Sequence, residues 1–262
     1  MQCFRSLGFA LATLAVLANP VFASDMPMQP SPSATPSTWS CGAFERVTKG
    51  LLYDSAGFFG TKQWSTMTFV GCSQPKGGWD WNVIGFVPLG GNGVANEFDL
   101  EGGYTFVSGP WSLRIGTGYW NFEPFLGTRF QIWDNRVKAA YRFEVAPGIS
   151  VTPWAQLNYQ ELYAPGLRDH DFNVGAGGVL KMRMNKWSTL VIEAAHFHHV
   201  KSFGPSKDVT AVTVEVPFDL GKYNGFAVSA GPWWRGTWGN ILKTPGNHEF
   251  NNSLGFKISA FN

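Results

Sequence analysis

Hydrophobic and polar residues alternate with a period of two along most of the chain beyond residue 79. In the segment 136–145, Val137 and Tyr141 fall on one face, whereas Arg136 and Lys138 fall on the other. The same alternation recurs over the segments 149–160, 172–184, 209–218 and 253–260. A period of two predicts β-strands whose two faces meet different surroundings.

The predicted strands are roughly ten or more residues long, whereas strands of globular proteins have ~5–6 residues and membrane-crossing strands have ~9–11. Their apolar face carries almost no charge, which suits contact with lipid. The links between them are alternately long and short, and the long ones lie near 90–96, 123–135, 163–170, 201–207 and 240–248. Long loops at one end and short turns at the other are typical of outer-membrane barrels, with the short turns on the periplasmic side.

From about residue 64 to residue 262 the chain resembles Gram-negative outer-membrane β-barrel proteins, through this pattern and not through a motif. The resemblance implies an all-β fold, an antiparallel up-and-down transmembrane β-barrel of 10–12 strands. Ten strands follow residue 79, and residues 64–72 form another. Residues 39–63 supply either a first strand or, if 43–53 forms a short helix, a plug in the periplasmic mouth. Even strand numbers are the rule, so twelve is favoured and ten plus a plug is the alternative.

The N-terminus predicts export and processing. Arg5 precedes an apolar run, and small residues end at Ala23, so residues 1–23 are interpreted as a signal peptide that is cleaved before Ser24. Residues 24–38 are rich in Pro and Ser and predict a flexible segment, and the barrel domain follows over 39–262. We therefore expect the protein in the outer membrane of a Gram-negative bacterium.

Export bears on the cysteines as well. Removal of Cys3 with the signal leaves Cys41 and Cys72. An even number of cysteines in an oxidising compartment predicts a disulfide. If residues 39–53 form a strand, the bond joins neighbouring strands at their periplasmic base.

Composition narrows the function classes. The 262 residues include 31 Gly, 12 Trp, 7 Tyr and 22 Phe, with 15% charged residues and a net charge of +2. Abundant aromatics exclude disorder, and the even charge balance argues against nucleic acid as a partner. Aromatic residues near strand ends predict interfacial girdles, and these residues are Trp79, Trp81, Trp111, Tyr119, Trp120, Trp187, Trp233, Trp234 and Trp238.

The polar face of the strands is expected to line the lumen. Its charges form either a closed, salt-bridged interior or a narrow water-filled pore with a mild preference for anions. A basic group around Arg136 and an acidic row around Asp99 are expected to oppose each other across the lumen. The predicted pore-lining residues are Arg114, Arg136, Lys138, Arg142, Lys181, Arg183, Glu97, Asp99, Glu101, Glu193, Glu215, Arg235 and Lys257.

A hydrolase is the alternative from another class. Omptin proteases place aspartates and an Asp–His couple at the extracellular rim, and Glu97, Asp99, Asp169 and His170 echo those residue types, the last two in a predicted long loop. A His–carboxylate couple can activate water. Two features depart from the omptin pattern. Asp169 and His170 are adjacent, which is not the omptin spacing, and Glu97 stands where omptins have an aspartate.

Other chemistry is weakly represented. His196, His198 and His199 have no third ligand nearby, so we predict neither a metal nor a cofactor. The favoured function is passive diffusion of small solutes, with a rim-site hydrolase or a closed structural or adhesive barrel as alternatives. The expected partners are outer-membrane lipid and lipopolysaccharide, the barrel-assembly machinery and small solutes.

Overall fold

The computed structural model consists of β-strands joined by turns in the part of the chain that it describes, residues 39–50, 52–54, 57–59, 64–89, 96–125, 128–200, 207–239 and 250–262. The strands are β1 (Ser40–Gly50), β2 (Leu52–Asp54), β3 (Gly57–Phe59), β4 (Trp64–Ser73), β5 (Gly78–Pro88), β6 (Asn96–Ser108), β7 (Trp111–Phe125), β8 (Thr128–Tyr141), β9 (Phe143–Ala146), β10 (Ile149–Ala164), β11 (Leu167–Arg183), β12 (Thr189–His199), β13 (Lys207–Glu215), β14 (Phe218–Tyr223), β15 (Phe226–Trp238) and β16 (Phe250–Phe261).

Twelve of these strands close into an antiparallel barrel. The order around the ring is β1, β4, β5, β6, β7, β8, β10, β11, β12, β13, β15 and β16, and β16 pairs with β1. The short strands β9 and β14 continue β8 and β13 along β10 and β15, while β2 and β3 form a separate hairpin. We call the end of the barrel that holds Ser40 and Phe261 the terminal end, and the opposite end the loop end.

Sequence-encoded turns set the register at the terminal end. Asn224 and Gly225 connect β14 to β15 with φ values of 48° and 86°, which is the conformation of a two-residue type I′ hairpin turn.

At Arg142 the ladder between β8 and β10 is interrupted, and the register shifts between Ile149 and Ser150. Such a bulge bends the strand.

The two faces of each strand differ as the alternation predicts. Along β10, Ser150, Thr152 and Gln156 are buried, whereas Leu157 and Tyr159 between the buried positions are exposed. Buried side chains from strands that are not neighbours touch each other, for instance Phe86 of β5 and Trp233 of β15. Such contacts are possible only inside the ring, so the buried face is the lumen and the apolar exposed face is the outer wall.

The prediction of twelve strands is confirmed, and the alternative of a plug is wrong. Residues 40–50 form β1, which pairs with β4 and β16 on its two sides. The predicted long links at 123–135 and 163–170 are also wrong in large part. The hairpin of β10 and β11 continues the ladder as far as Ala164 and Leu167 and turns over residues 165–166, because Tyr163 and Arg168 keep the pairing beyond the predicted strand end. The same holds for β7 and β8, which pair as far as Phe125 and Thr128.

The predicted signal peptide and flexible segment lie outside the described residues. Within the described residues, no helix is long and apolar enough to cross a membrane.

The disulfide joins neighbouring strands next to the seam of the barrel. Cys41 of β1 and Cys72 of β4 are direct partners in the ladder, with Cα atoms 4.1 Å apart. The C-terminus is fastened to the same strand, because Asn262 accepts a hydrogen bond from the backbone N–H of Cys41 at 2.9 Å and another from Ser40 Oγ at 2.9 Å. The predicted disulfide is therefore present. It is attached to β1, the strand whose pairing with β16 closes the ring.

Candidate functional site

The inner wall brings together nearly all the charged residues singled out from the sequence. By strand alternation and burial, Arg142 is the exception. It lies in the break between β8 and β9, where it pairs with Glu144 Oε1 at 2.7 Å and is 38% exposed. The predicted residues at inward-facing positions are Glu97, Asp99, Glu101, Arg114, Arg136, Lys138, Lys181, Arg183, Glu193, Glu215, Arg235 and Lys257.

One ionic network joins β6 and β8 across β7. The guanidinium of Arg136 donates to Asp134 Oδ2 at 2.6 Å and to Glu101 Oε1 at 3.1 Å. Gln160 Nε2 donates to the other oxygen of Asp134 at 3.0 Å, and Trp120 Nε1 donates to Glu101 at 3.2 Å. Because Asp134 is 0% exposed, its charge depends on these partners.

A second ion pair lies on the same part of the inner wall, nearer the terminal end. Arg114 Nε donates to Asp80 Oδ2 at 2.9 Å. A Cβ atom added at Gly116 would lie 2.6 Å from Arg114 Nη1, and one at Gly103 would lie 2.9 Å from Nη2. The two glycines therefore leave the space along the wall that the guanidinium occupies.

A third group connects β1, β13 and β16. Lys257 Nζ lies 3.0 Å from Glu215 Oε2, and Arg46 Nη2 lies 3.4 Å from Glu215 Oε1. The guanidinium of Arg46 also lies over the ring of Trp233, 4.4 Å from its centroid, and Lys257 lies over Phe44 at 4.7 Å. These side chains therefore fill the part of the lumen that lies next to β15 and β16.

Aromatic residues also enter the lumen, which corrects the girdle prediction in part. Trp79, Trp111 and Trp187 are exposed on the outer side, as a girdle requires, but Trp120 and Trp233 are 3% and 2% exposed and face inward. Strand parity decides the difference, since Trp233 and Trp234 are adjacent and point to opposite faces. A further inner cluster comprises Ala140, Trp154, Val179, Ala195, Phe197 and Val209.

The predicted opposition of a basic and an acidic wall is not found. Strands β6 and β8 are separated only by β7, and Arg136 is bonded directly to Glu101. The charges are instead separated along the barrel axis. Sequence reasoning also missed inward-facing Arg46, Asp80, Asp134 and Asp171. Extending the alternation to β5 would have found Asp80, which stands between the outward-facing Trp79 and Trp81.

A buried polar patch lies near the loop end on β11 and β12. His199 Nδ1 is 2.6 Å from Asp171 Oδ2, with 4% and 1% of the two side chains exposed. Asn173 Nδ2 donates to the same carboxylate at 3.3 Å. Asp171 Oδ1 and Asn173 Oδ1 are buried without a hydrogen-bond partner within the described part of the chain. Buried polar atoms of this kind are usually satisfied by water.

The residues proposed for a rim hydrolase are not brought together. Glu97 and Asp99 lie on β6 and Asp169 on β11, and three strands of the ring separate them. Asp169 and His170 belong to β11 and not to a loop, and the Nδ1 atom of His170 is 4.0 Å from Asp169 Oδ1. The ring of His170 faces Tyr159 on the outer wall, 6.3 Å away.

The histidines of β12 do not share one site. His196 and His198 point outward to Thr210 and Asp208, whereas His199 points inward. Among the residues that the structure describes, no group of three or more His, Cys, Asp or Glu side chains could hold a metal ion.

Solved structures place this architecture among known proteins. The NanC porin is similar at a TM-score of 0.50 with 12% identity, over 83% of this chain and 98% of that one. The chain has the fold of an outer-membrane β-barrel protein. A KdgM porin solved with disordered oligogalacturonate is similar at a TM-score of 0.49 with 8% identity, over 82% and 97% of the two chains. The translocator domain of the autotransporter NalP from Neisseria meningitidis is similar at 0.47 with 11% identity, over 100% and 96%.

Comparison at the level of sequence identifies no relatives. No family model matches the chain. No curated protein sequence matches it either.

Proposed function

We propose that this barrel is an outer-membrane channel through which small solutes diffuse passively, with a mild preference for anions. The observation that carries the proposal is the chemistry of the inner wall. Carboxylates, amines, guanidinium groups and amides project from it at many heights, so its wall is not a continuous apolar core. Charged groups held inside a barrel need partners or water, and a hydrated charged wall is what narrow channels use to select solutes.

The size limit and the charge preference have separate origins. The aromatic clusters around Trp154 and Trp233 narrow the lumen, which restricts passage to small solutes. Lys138, Lys181 and Arg183 lie on inward-facing positions of β8 and β11 toward the terminal end. These cations support the preference for anions, and the carboxylates elsewhere on the wall keep that preference mild.

The location belongs to the same proposal. A signal peptide over residues 1–23 exports the chain, and the barrel-assembly machinery inserts it into the outer membrane. Its outer wall, which exposes Leu157, Phe256 and Leu254, contacts lipid and lipopolysaccharide. The terminal end then faces the periplasm, because short turns lie on that side of outer-membrane barrels.

A closed structural barrel is the second candidate, and a specific observation favours it. Phe86 and Trp233 touch across the lumen, and Arg46 reaches Glu215 from a strand that is not its neighbour. Side chains that fill the lumen in this way could stabilise the wall without leaving a continuous water path.

Swelling of proteoliposomes in isosmotic solutes separates the two candidates. We expect swelling with small neutral and anionic solutes, faster for the anion than for a cation of equal size, and none with larger solutes. The variant Lys138→Gln with Lys181→Gln should remove the difference between anion and cation while leaving the neutral solute unchanged. Swelling with none of these solutes would favour the closed barrel. Swelling without an anion preference would retain the channel and remove the charge selection.

A further inference from the structure

The charges of the lumen are segregated along the barrel axis. Dividing each barrel strand at its midpoint assigns every inward-facing charge of the described strands to the loop half or the terminal half. In the loop half the inward-facing carboxylates are Glu97, Asp99, Glu101, Asp134, Asp169 and Asp171, and the basic residues are Arg46, Lys207 and Arg235. In the terminal half the basic residues are Arg114, Arg136, Lys138, Lys181, Arg183 and Lys257, and the acids are Asp80, Glu193 and Glu215.

The segregation has a simple origin in the strands. Strand β6 contributes three inward-facing carboxylates in a row, Glu97, Asp99 and Glu101, in the half that begins at the loop end. Strand β8 changes sign at its middle, where Asp134 is followed two residues later by Arg136 and then by Lys138. The boundary between the halves therefore runs through the ion pair of Asp134 and Arg136, whose atoms are 2.6 Å apart.

Each half keeps an excess of one sign after pairing. Arg136 bonds across the boundary to Glu101 and Asp134, which forms a dipole along the axis. Arg114 pairs with Asp80 and Lys257 with Glu215 within the terminal half, and the pair of Arg46 with Glu215 crosses the boundary in the opposite sense. The loop half still has six carboxylates against three basic residues, and the terminal half has six basic residues against three acids. At the loop end, Glu97, Asp99 and Asp171 are 6%, 6% and 1% exposed. Burial inside a wall of low dielectric strengthens the field that such groups exert on a neighbouring ion.

We propose that the lumen is bipolar, with a cation-attracting loop half and an anion-attracting terminal half, so that it rectifies ionic current. This inference rests on the proposed channel function. When the loop-end compartment is positive, cations enter the acidic half and anions enter the basic half, and both accumulate at the boundary. When the voltage is reversed, both are drawn away from the boundary and the conductance falls. The acidic loop half opposes the anion preference of the terminal half, which keeps the net preference mild. The larger effect of the two halves is that the conductance depends on the direction of the applied voltage.

Single-channel recording in planar bilayers tests the inference with the full mature chain. Biotin attached at the C-terminus, which lies at the terminal end beside Cys41, and streptavidin added to one compartment fix the orientation of each insertion. In 0.1 M KCl we expect the conductance to be roughly twofold or more higher with the loop-end compartment positive than with it negative. In 1 M KCl the ratio should approach one, because the Debye length falls from about 10 Å to about 3 Å.

Two variants supply the matched comparison. Glu97→Gln with Asp99→Asn removes two carboxylates from the loop half and keeps the side-chain volumes, and we expect it to conduct with a ratio clearly below that of the wild type. Glu144→Gln, in the exposed pair with Arg142 at the terminal end, should keep the wild-type ratio. A wild-type channel that conducts equally in both directions at 0.1 M KCl overturns the bipolar lumen and leaves the channel function intact. No current at either voltage overturns both.

Discussion

The ionic network around Arg136 makes the sharpest prediction about the lumen. Its guanidinium is the partner of two carboxylates, Asp134 at 2.6 Å and Glu101 at 3.1 Å, whose side chains are 0% and 10% exposed. Replacing Arg136 by Met keeps most of the side-chain length and removes the charge. The change leaves two buried acids facing each other without a cation. Breaking a buried pair in this way costs about 3–5 kcal/mol, so Arg136→Met should lower the free energy of unfolding by that amount.

The remedy follows from the same contacts. If the cost comes from uncompensated charge, Asp134→Asn and Glu101→Gln in the Arg136→Met background should restore most of the stability, since neutral amides need no counter-ion and Gln160 and Trp120 stay beside them. We expect the triple variant to lie within about 1–2 kcal/mol of the wild type, as replacements of whole buried ion groups often do.

Urea unfolding in lipid vesicles, followed by tryptophan fluorescence, measures these differences. Arg142→Met is the control, because its pair with Glu144 is 38% and 58% exposed and such surface pairs contribute only about 0–1 kcal/mol. Equal losses of stability in Arg136→Met and Arg142→Met, or a triple variant less stable than Arg136→Met alone, would contradict an uncompensated buried charge at this position.

Three further predictions concern the seam, the wall and the buried polar patch. Cys41→Ser with Cys72→Ser should lower stability by about 2–4 kcal/mol in urea unfolding. Reductant should slow the wild type on a denaturing gel and leave this variant unchanged, and equal wild-type mobility with and without reductant would contradict the bond. Gly255→Ala places a Cβ atom 2.0 Å from the carbonyl oxygen of Val47, whereas Gly85 has no atom within 4 Å of that position. Gly255→Ala should therefore cost about 1–3 kcal/mol and Gly85→Ala almost nothing, and equal unfolding midpoints would show that the seam has room. His199→Ala removes the ring nitrogen that lies 2.6 Å from Oδ2 of buried Asp171. Loss of this hydrogen bond at a buried acceptor should cost about 1–3 kcal/mol, most of which is regained on adding Asp171→Asn. An unfolding curve unchanged by His199→Ala would disprove the pairing.

Much of the fold could be predicted because alternation is a local property. Whether Ser150 or Leu157 faces lipid depends only on strand parity, and the barrel follows from strands that are apolar on one face and long enough to cross a membrane. The disulfide could be predicted for a similar reason. Removal of the predicted signal peptide would leave two cysteines, and a first strand at 40–50 makes Cys41 and Cys72 neighbours.

The partners inside the lumen could not be predicted, because they depend on register and on the shift between strands around the ring. Nothing in the sequence indicates that Arg136 and Glu101 lie on the same side of the lumen and bond to each other. The alternation alone is equally compatible with positions on opposite sides of the lumen. The contact between Arg46 and Glu215 requires the ring to be closed first. Local parity also decides whether an aromatic residue belongs to a girdle or to the lumen, and at Trp233 and Trp234 a shift of one residue reverses the answer.

The ends of the strands could not be predicted from the sequence either. Residues 163–170 contain Pro165 and Gly166 among polar residues, which is typical of a loop. In the structure only these two form the turn, and Asp169 and His170 pair as part of β11 with Leu162 and Glu161. Cross-strand hydrogen bonds extend the ladder beyond the apolar band. For this reason the predicted rim loop is part of the barrel wall. Asp169 and His170 are adjacent in β11, so their side chains point to opposite faces of the wall.

The central claim, that this barrel conducts, is tested most directly by the ionic current of the purified mature protein in a planar lipid bilayer. We expect discrete current steps of similar size in 1 M KCl as single barrels insert. A bilayer that shows no current beyond the lipid background, although the protein in it is folded by its heat-dependent gel mobility, would contradict the claim.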